Sequence, residues 1–223
     1  MEHQPVGSVP PTTLAGGRQK GQVVRERAIA AAAVRLADTG YEGCSLEDIA
    51  REAQLTKNQL MHHFGSKEAL VLAAVDRAWA LWQREVITPS EVYPDARGQL
   101  EFIFGRLGEL MAEGWPQLRV LGHLAAGQAA LPPTVRARMG EGLQAMGERL
   151  RGLFKDLRRS SQILPEHKAR ALSEFALAAM LGAALLYDAR EGGGQSQALL
   201  VLRSVICGEG QQKAVDAAAM DGS

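Results

Sequence analysis

Aromatic residues make up only 5% of this 223-residue chain, and cysteines number two. Cys44 and Cys207 lie far apart in sequence, which excludes a disulfide framework and a zinc cluster of the usual spacing. Charge of one sign is also lacking: 25 basic residues stand against 25 acidic ones. No global basic field exists to hold nucleic acid nonspecifically, so any contact with DNA has to come from a local patch. Long apolar runs are scarce. The longest, Phe175 to Tyr187, is read as too short to span a bilayer and is interrupted by Gly182. The first residues, MEHQPVGSVPPTTLAGG, have neither the basic start nor the apolar stretch of a secretory signal. A cytoplasmic protein with no membrane contact is therefore expected. Catalytic signatures are missing as well: there is no Gly-rich phosphate loop, no nucleophile with a base at motif spacing, and no pair of metal-binding carboxylates. The expectation is no enzyme, no cofactor and no metal.

What is present is helix. Hydrophobic residues reach 46%, with Ala and Leu abundant, and neither strand alternation nor an internal repeat is visible. Residues 1–17 read as a disordered arm rich in Pro, Gly and Thr, with order from Arg18. Val24, Ala28, Ala31, Ala32 and Leu36 form one stripe of a helix that Gly40 stops. Three short helical patterns follow between Ser45 and Leu70, and the third runs on to about Val86. Thr88-Pro89-Ser90 and Tyr93-Pro94 are expected to break it. This places a small unit at 18–88 and a larger helical one at 89–208, with a frayed tail at 209–223. In the larger unit, Val135, Met139, Leu143, Met146, Leu150, Leu153 and Leu157 recur at spacings of four and three, a packed-helix seam. Further helices are expected from Pro165 to Glu191 and from Gln195 to Gly208. The fold class is all-α.

The short patterns carry the chemistry. Ordinary helices run about 11–12 residues, and here the pieces are shorter. Ser45 can cap the first, with Asp48 at the reciprocal capping-box place. Gln54-Leu55 makes a tight connection, and Thr56 caps the second. At roughly 100° per residue, Leu60 and Phe64 fall together and face a core. Asn58, Gln59 and His62 fall opposite, with Lys57 and Met61 on one flank and His63 on the other. Such a surface suits the major groove, where Asn and Gln bind adenine edges and Lys suits guanine acceptors. Two short helices joined by a tight turn are the helix-turn-helix arrangement, whose second helix enters that groove. The adjacent His62 and His63 do not suggest metal, because neighbours on a helix point about 100° apart. Arg18, Lys20, Arg25 and Arg27 form a basic run that is either a solvated face or a minor-groove or phosphate arm.

Tyr41-Glu42-Gly43, Ser45-Leu46-Glu47-Asp48-Ile49-Ala50, Leu55-Thr56, Leu60, His63-Phe64, Ser66-Lys67-Glu68 and Leu70 together resemble the TetR family of transcriptional repressors over about residues 25 to 75. The resemblance implies an all-helical homodimer with a three-helix DNA-binding head and a ligand-responsive dimerisation body. Carried over by position, Ser45, Thr56, His63 and Lys67 resemble phosphate contacts, and Lys57, Asn58, Gln59 and His62 resemble base readers. Two positions depart from the family. Gln54 stands where Gly is usual and has to accept a left-handed backbone. Met61 stands where Tyr is usual; it cannot donate a hydrogen bond and is assigned a thymine methyl.

Candidate pocket liners in the body are Phe102, Met111, Trp115 and Met139, with Arg119, His123 and Tyr187 as polar groups; Trp79, Trp82 and Phe104 belong to the same aromatic set. The expected function is a repressor that binds a palindromic operator as a homodimer and is released by a small molecule. The rivals are an all-α ligand-binding or protein-interaction module with a DNA-incompetent head, and a helical enzyme.

Overall fold

A computed structural model of the chain describes residues 13–160 and 168–186. All regular structure among them is helical, in the order α1 (Thr13–Gly43), α2 (Leu46–Ala53), α3 (Lys57–Phe64), α4 (Lys67–Trp82), α5 (Thr88–Ser90), α6 (Ala96–Ala112), α7 (Pro116–Ala126), α8 (Pro133–Arg159) and α9 (Ala169–Leu186). Helix α1 starts at Thr13, ahead of the onset expected at Arg18. Gly40, at φ 65°, interrupts it where the sequence places the stop.

Ala28, Ala32 and Leu36 of α1, Ile49 of α2, Leu60 of α3, and Leu70 and Val71 of α4 belong to one buried core, in which α1 packs on α2 and α4 and α3 packs on those two helices. Burial pushes the Cys44 thiol pKa up, and this residue serves as core packing. Helices α2, α3 and α4 each begin on a hydroxyl. Ser45, Thr56 and Ser66 accept hydrogen bonds from the backbone N–H groups of Asp48, Gln59 and Ala69.

The helix does not stop at Val86 or at Pro89; the expected break comes after Ser90, where residues 91–95, with Tyr93-Pro94, are not helical. Helix α4 runs directly into a π turn, Gln83–Ile87, and then into α5, which has Pro89 in its first turn. A proline ring clashes with the carbonyl four residues back. Widening the turn, so that the Thr88 N–H reaches the Gln83 carbonyl, accommodates Pro89 without ending the helix.

The body is built on α8, which packs against α4, α6 and α9; α7 packs between α1 and α9. Gly122 of α7 lets that helix approach α9, since a Cβ there would lie 3.1 Å from the Ala184 Cβ. Contrary to the expectation from its composition, α9 is long and apolar enough to cross a membrane by length and composition. Its Ser173, Ala176, Met180, Ala183 and Ala184 are instead buried inside the protein. Phe175 and Leu186 on its other side are exposed. The expected 1–12 part of the arm, the segment around Pro165, the helix from Gln195 to Gly208, the frayed tail and Tyr187 lie outside the described residues.

Candidate functional site

The α2–α3 turn closes through two backbone bonds. The Leu55 N–H donates to the Ala50 carbonyl at 2.8 Å, and the Gln54 N–H to that of Arg51 at 3.1 Å. This double closure requires a left-handed residue at the turn, and Gln54 takes it at φ 53°, ψ 43°. The Arg27 guanidinium donates to the Ala53 carbonyl at 2.6 Å and so satisfies another group at the end of α2. Arg25 donates to the His63 carbonyl at 3.3 Å and lies over the Phe64 ring, 4.5 Å from its centre. Two members of the basic run thus tie α1 to the ends of α2 and α3. That is a third use, beyond the solvated face and the DNA arm considered from sequence.

Helix α3 has one fully buried side chain, Leu60, and its polar residues divide by the bonds they make. Gln59 is bound back onto the start of its own helix: its side-chain oxygen accepts from the Thr56 N–H at 2.8 Å, while the Thr56 hydroxyl accepts from the Gln59 N–H at 3.2 Å. This reciprocal box was visible as Thr56-x-x-Gln59. Lys57 donates to Glu47 on α2 at 2.5 Å, and this bond holds the Glu47 carboxyl below the usual carboxylate range. Asn58, Met61 and His62 are exposed. Asn58 has no side-chain partner among the described residues, and the His62 ring meets His63 edge-on at 5.3 Å.

The residues matched to phosphate contacts are more tightly held. Ser45 donates to the Asp48 carboxylate at 2.6 Å, which holds that carboxyl below its ordinary range. Lys67 donates to the Tyr41 carbonyl at 2.6 Å and sits 4.2 Å from the centre of the Tyr41 ring. His63 is half-buried, with its ring 3.9 Å from where a Gly21 side chain would begin.

Residues 28–74, spanning α1 to α4, match the family model of bacterial regulatory proteins, tetR family. The head is thus similar to the DNA-binding domain of the TetR family. Solved structures extend the likeness in fold to the body. A TetR-family transcriptional regulator from Agrobacterium tumefaciens matches with a TM-score of 0.74 at 20% identity, covering 85% of this chain and 98% of that one. A TetR transcriptional regulator from Chloroflexus aurantiacus J-10-FL matches at 0.71 and 26% identity, covering 85% and 94%. AibR, solved in complex with isovaleryl coenzyme A and operator DNA, matches at 0.70 and 21% identity, covering 82% and 98%. None of the curated protein sequences matches the chain.

Beneath the head, a cleft of about 510 Å³ lies between α4 and α8. Trp79, Trp82 and Ile87 face Gly142 and Met146 across it, and Arg138 and Arg149 stand on the α8 side. Trp79 lies directly on Gly142: a Cβ there would fall 2.1 Å from the indole. Of the aromatic set marked in the sequence, Trp79 and Trp82 line this cleft. The other candidates are placed apart from it. Met111, Met139 and Phe104 are core residues. Trp115 precedes the first turn of α7, and Arg119 donates to Asp38 of α1 at 3.0 Å. His123 is half-buried, and Phe102 stacks near Tyr93 in a separate depression beside α6. The α8 side of the cleft went unmarked in the sequence. Its one available signal was Gly142, a residue with no side chain set inside the seam between Met139 and Met146. Among the described residues no cluster of His, Cys, Asp and Glu could hold a metal ion.

Proposed function

We propose that the protein is a ligand-responsive transcriptional repressor that binds a palindromic operator as a homodimer. The observation that carries this reading is α3, a doubly capped helix anchored by Leu60 that turns Asn58, Met61 and His62 outward. Asn58 reads an adenine edge, Met61 packs on a thymine methyl, and His62 contacts a neighbouring base. Lys57 joins them by leaving Glu47, a change of small cost because both partners are solvent-exposed. Gln59 acts mainly by fixing the helix start, and Ser45, Thr56, His63 and Lys67 set the phosphate-facing rim.

Dimerisation is assigned to α9 together with the helix expected from Gln195 to Gly208. Phe175 and Leu186 are exposed on α9, and its Ala179 and Gly182 permit close approach. A twofold dimer places two α3 helices about 34–36 Å apart, one turn of duplex.

The effector is assigned to the α4–α8 cleft, next to the helix that carries the head. AibR's structure with both an acyl-coenzyme A and operator DNA shows that a protein of this fold accommodates the two kinds of ligand. A molecule wedged against Trp79 and Trp82 tilts α4 and changes the separation of the recognition helices. Switching from 1:99 to 99:1 requires about 5.5 kcal/mol of preference for the released state. DNA and effector then weaken each other by the same factor.

Selection of bound duplexes from a random pool tests the reading. The expected product is a palindrome whose affinity falls steeply with salt. Asn58→Ala relaxes one base pair by about 1–3 kcal/mol. Uniform weakening of every sequence would remove Asn58 from base reading, and failure to enrich any sequence would leave the DNA-incompetent alternative.

A further inference from the structure

A carboxylate on a surface turned toward DNA works against binding, because the phosphates repel it. Three carboxylates lie between Ser45 and Phe64: Glu47, Asp48 and Glu52. Asp48 is used locally, one oxygen accepting from the Ser45 hydroxyl at 2.6 Å and the other from Arg51 at 3.1 Å. Glu52 lies toward α1, in a small depression that it shares with Arg35. Glu47 is placed differently. It projects from the first turn of α2 to the first residue of α3, where its Oε1 accepts from the Lys57 ammonium at 2.5 Å. The two side chains are 57% and 54% exposed. No other side chain bonds the Glu47 carboxylate among the described residues, so its second oxygen is open as an acceptor. An exposed ion pair of this kind adds little stability. What it supplies is an acceptor and a donor side by side, at the end of α3 that reaches base edges first.

From this pairing we infer that Glu47 is a specificity-determining residue that accepts from the N4–H2 group of a cytosine, while Lys57 donates to O6 and N7 of the paired guanine. The acceptor and donor of the protein match the donor and acceptors on the major-groove edge of a C·G pair. Thymine in place of the cytosine turns O4 toward the carboxylate, and guanine turns O6 and N7 toward it; these are acceptors, with no proton to share. Adenine, through N6–H2, is the replacement that the carboxylate tolerates best. Glu47 also repels the phosphates of a duplex that lacks the matching base, so part of its selectivity comes from weakening the alternatives. The assignment rests on the reading of the protein as an operator-binding regulator and adds to it a base that α2, rather than α3, selects.

The test is selection of bound duplexes from a random pool by the full chain, carried out in parallel with wild type, Glu47→Ala and Lys57→Ala. Affinities of the enriched duplex are then measured with the cytosine changed to thymine or to guanine. Wild type is expected to enrich one C·G pair in each half-site and to bind the thymine and guanine versions about tenfold more weakly, the scale of one good base contact. Glu47→Ala should bind all three within twofold of one another, hold random-sequence DNA more tightly than wild type does, and keep its other base preferences. Because Glu47 is exposed, its removal leaves the core untouched. Equal weakening of every duplex by Glu47→Ala, or a cytosine preference that survives in Glu47→Ala and is lost only in Lys57→Ala, would overturn the inference while leaving operator binding in place. Failure of wild type to enrich any sequence would overturn the operator reading and this assignment with it.

Discussion

Helix starts in the head and helix starts in the body are built differently. In the head, α2, α3 and α4 each begin on a hydroxyl side chain that closes onto a backbone N–H three residues along. In the body, α7 and α8 begin with proline in the first turn and have no side-chain cap; α6, capped by Asp95, is the exception. A hydroxyl cap fixes where a helix starts through contacts within four residues. A proline only permits a start, by lacking a donor that would be orphaned anyway. The geometry of the head is thus specified locally, whereas that of the body depends on packing between distant helices such as α8 with α4 and α7 with α1. Local specification suits a surface that must present side chains at fixed angles to a duplex, and long-range specification suits a body whose helices shift around a ligand.

The strongest way to break the comparison is to remove the anchor that the head's local signals act on. Leu60→Ala deletes the one fully buried side chain of α3 and should cost about 2–5 kcal/mol in urea unfolding. A loss well under 1 kcal/mol would mean that caps and turns alone hold α3 in place.

On the body side, Gly142→Ala pushes a methyl into the Trp79 indole and should destabilise by about 1–3 kcal/mol through overpacking, read as a lower melting temperature. A neutral result would show that Trp79 has room to turn and that this contact does not set the α4–α8 separation.

Thr56→Ala removes one half of the capping box and should cost about 1 kcal/mol, concentrated in α3 by native-state hydrogen exchange. Pro116→Ala, at the start of α7, should cost less. Equal costs would erase the distinction between the two kinds of start.

The smallest effect is electrostatic. Lys57→Ala should raise the Glu47 carboxyl toward its ordinary range, followed by NMR across an acid titration. Because the folded-state pKa of Glu47 is depressed, the Lys57 interaction favours the fold above the ordinary carboxylate range and is lost as pH falls through the folded value. No movement of the Glu47 titration would mean that the pair does not persist in solution.

The same contrast explains what could be read in advance. The left-handed Gln54 was legible only through the family resemblance, in which Gly is usual at that turn position; no glycine marks it in this chain. The outward face of α3 was legible from Leu60 and Phe64, although Gln59 was assigned to DNA when a local bond claims it. Pro89 misled in the other direction. A proline normally argues for a break, and whether a π turn absorbs it depends on what the surrounding helices bury. The cleft was hardest, because it is made by residues about sixty positions apart. Trp79 and Trp82 stood out as aromatics, but nothing in the string assigns them Gly142 and Arg149 as neighbours.

Two bridges between distant helices, Arg119 to Asp38 at 3.0 Å and Arg138 to Asp76 at 2.6 Å, connect α7 with α1 and α8 with α4. Their side chains are partly in contact with solvent, so dissolved ions weaken them. With DNA bound as proposed, raising the salt concentration would therefore act in two places at once, at the phosphates under the head and at the joints behind it. A plot of operator affinity against salt is usually read as a count of neutralised phosphates. Under the proposed operator binding, its slope would also contain the loosening of those joints, and the count would become clean only in a variant with both bridges removed.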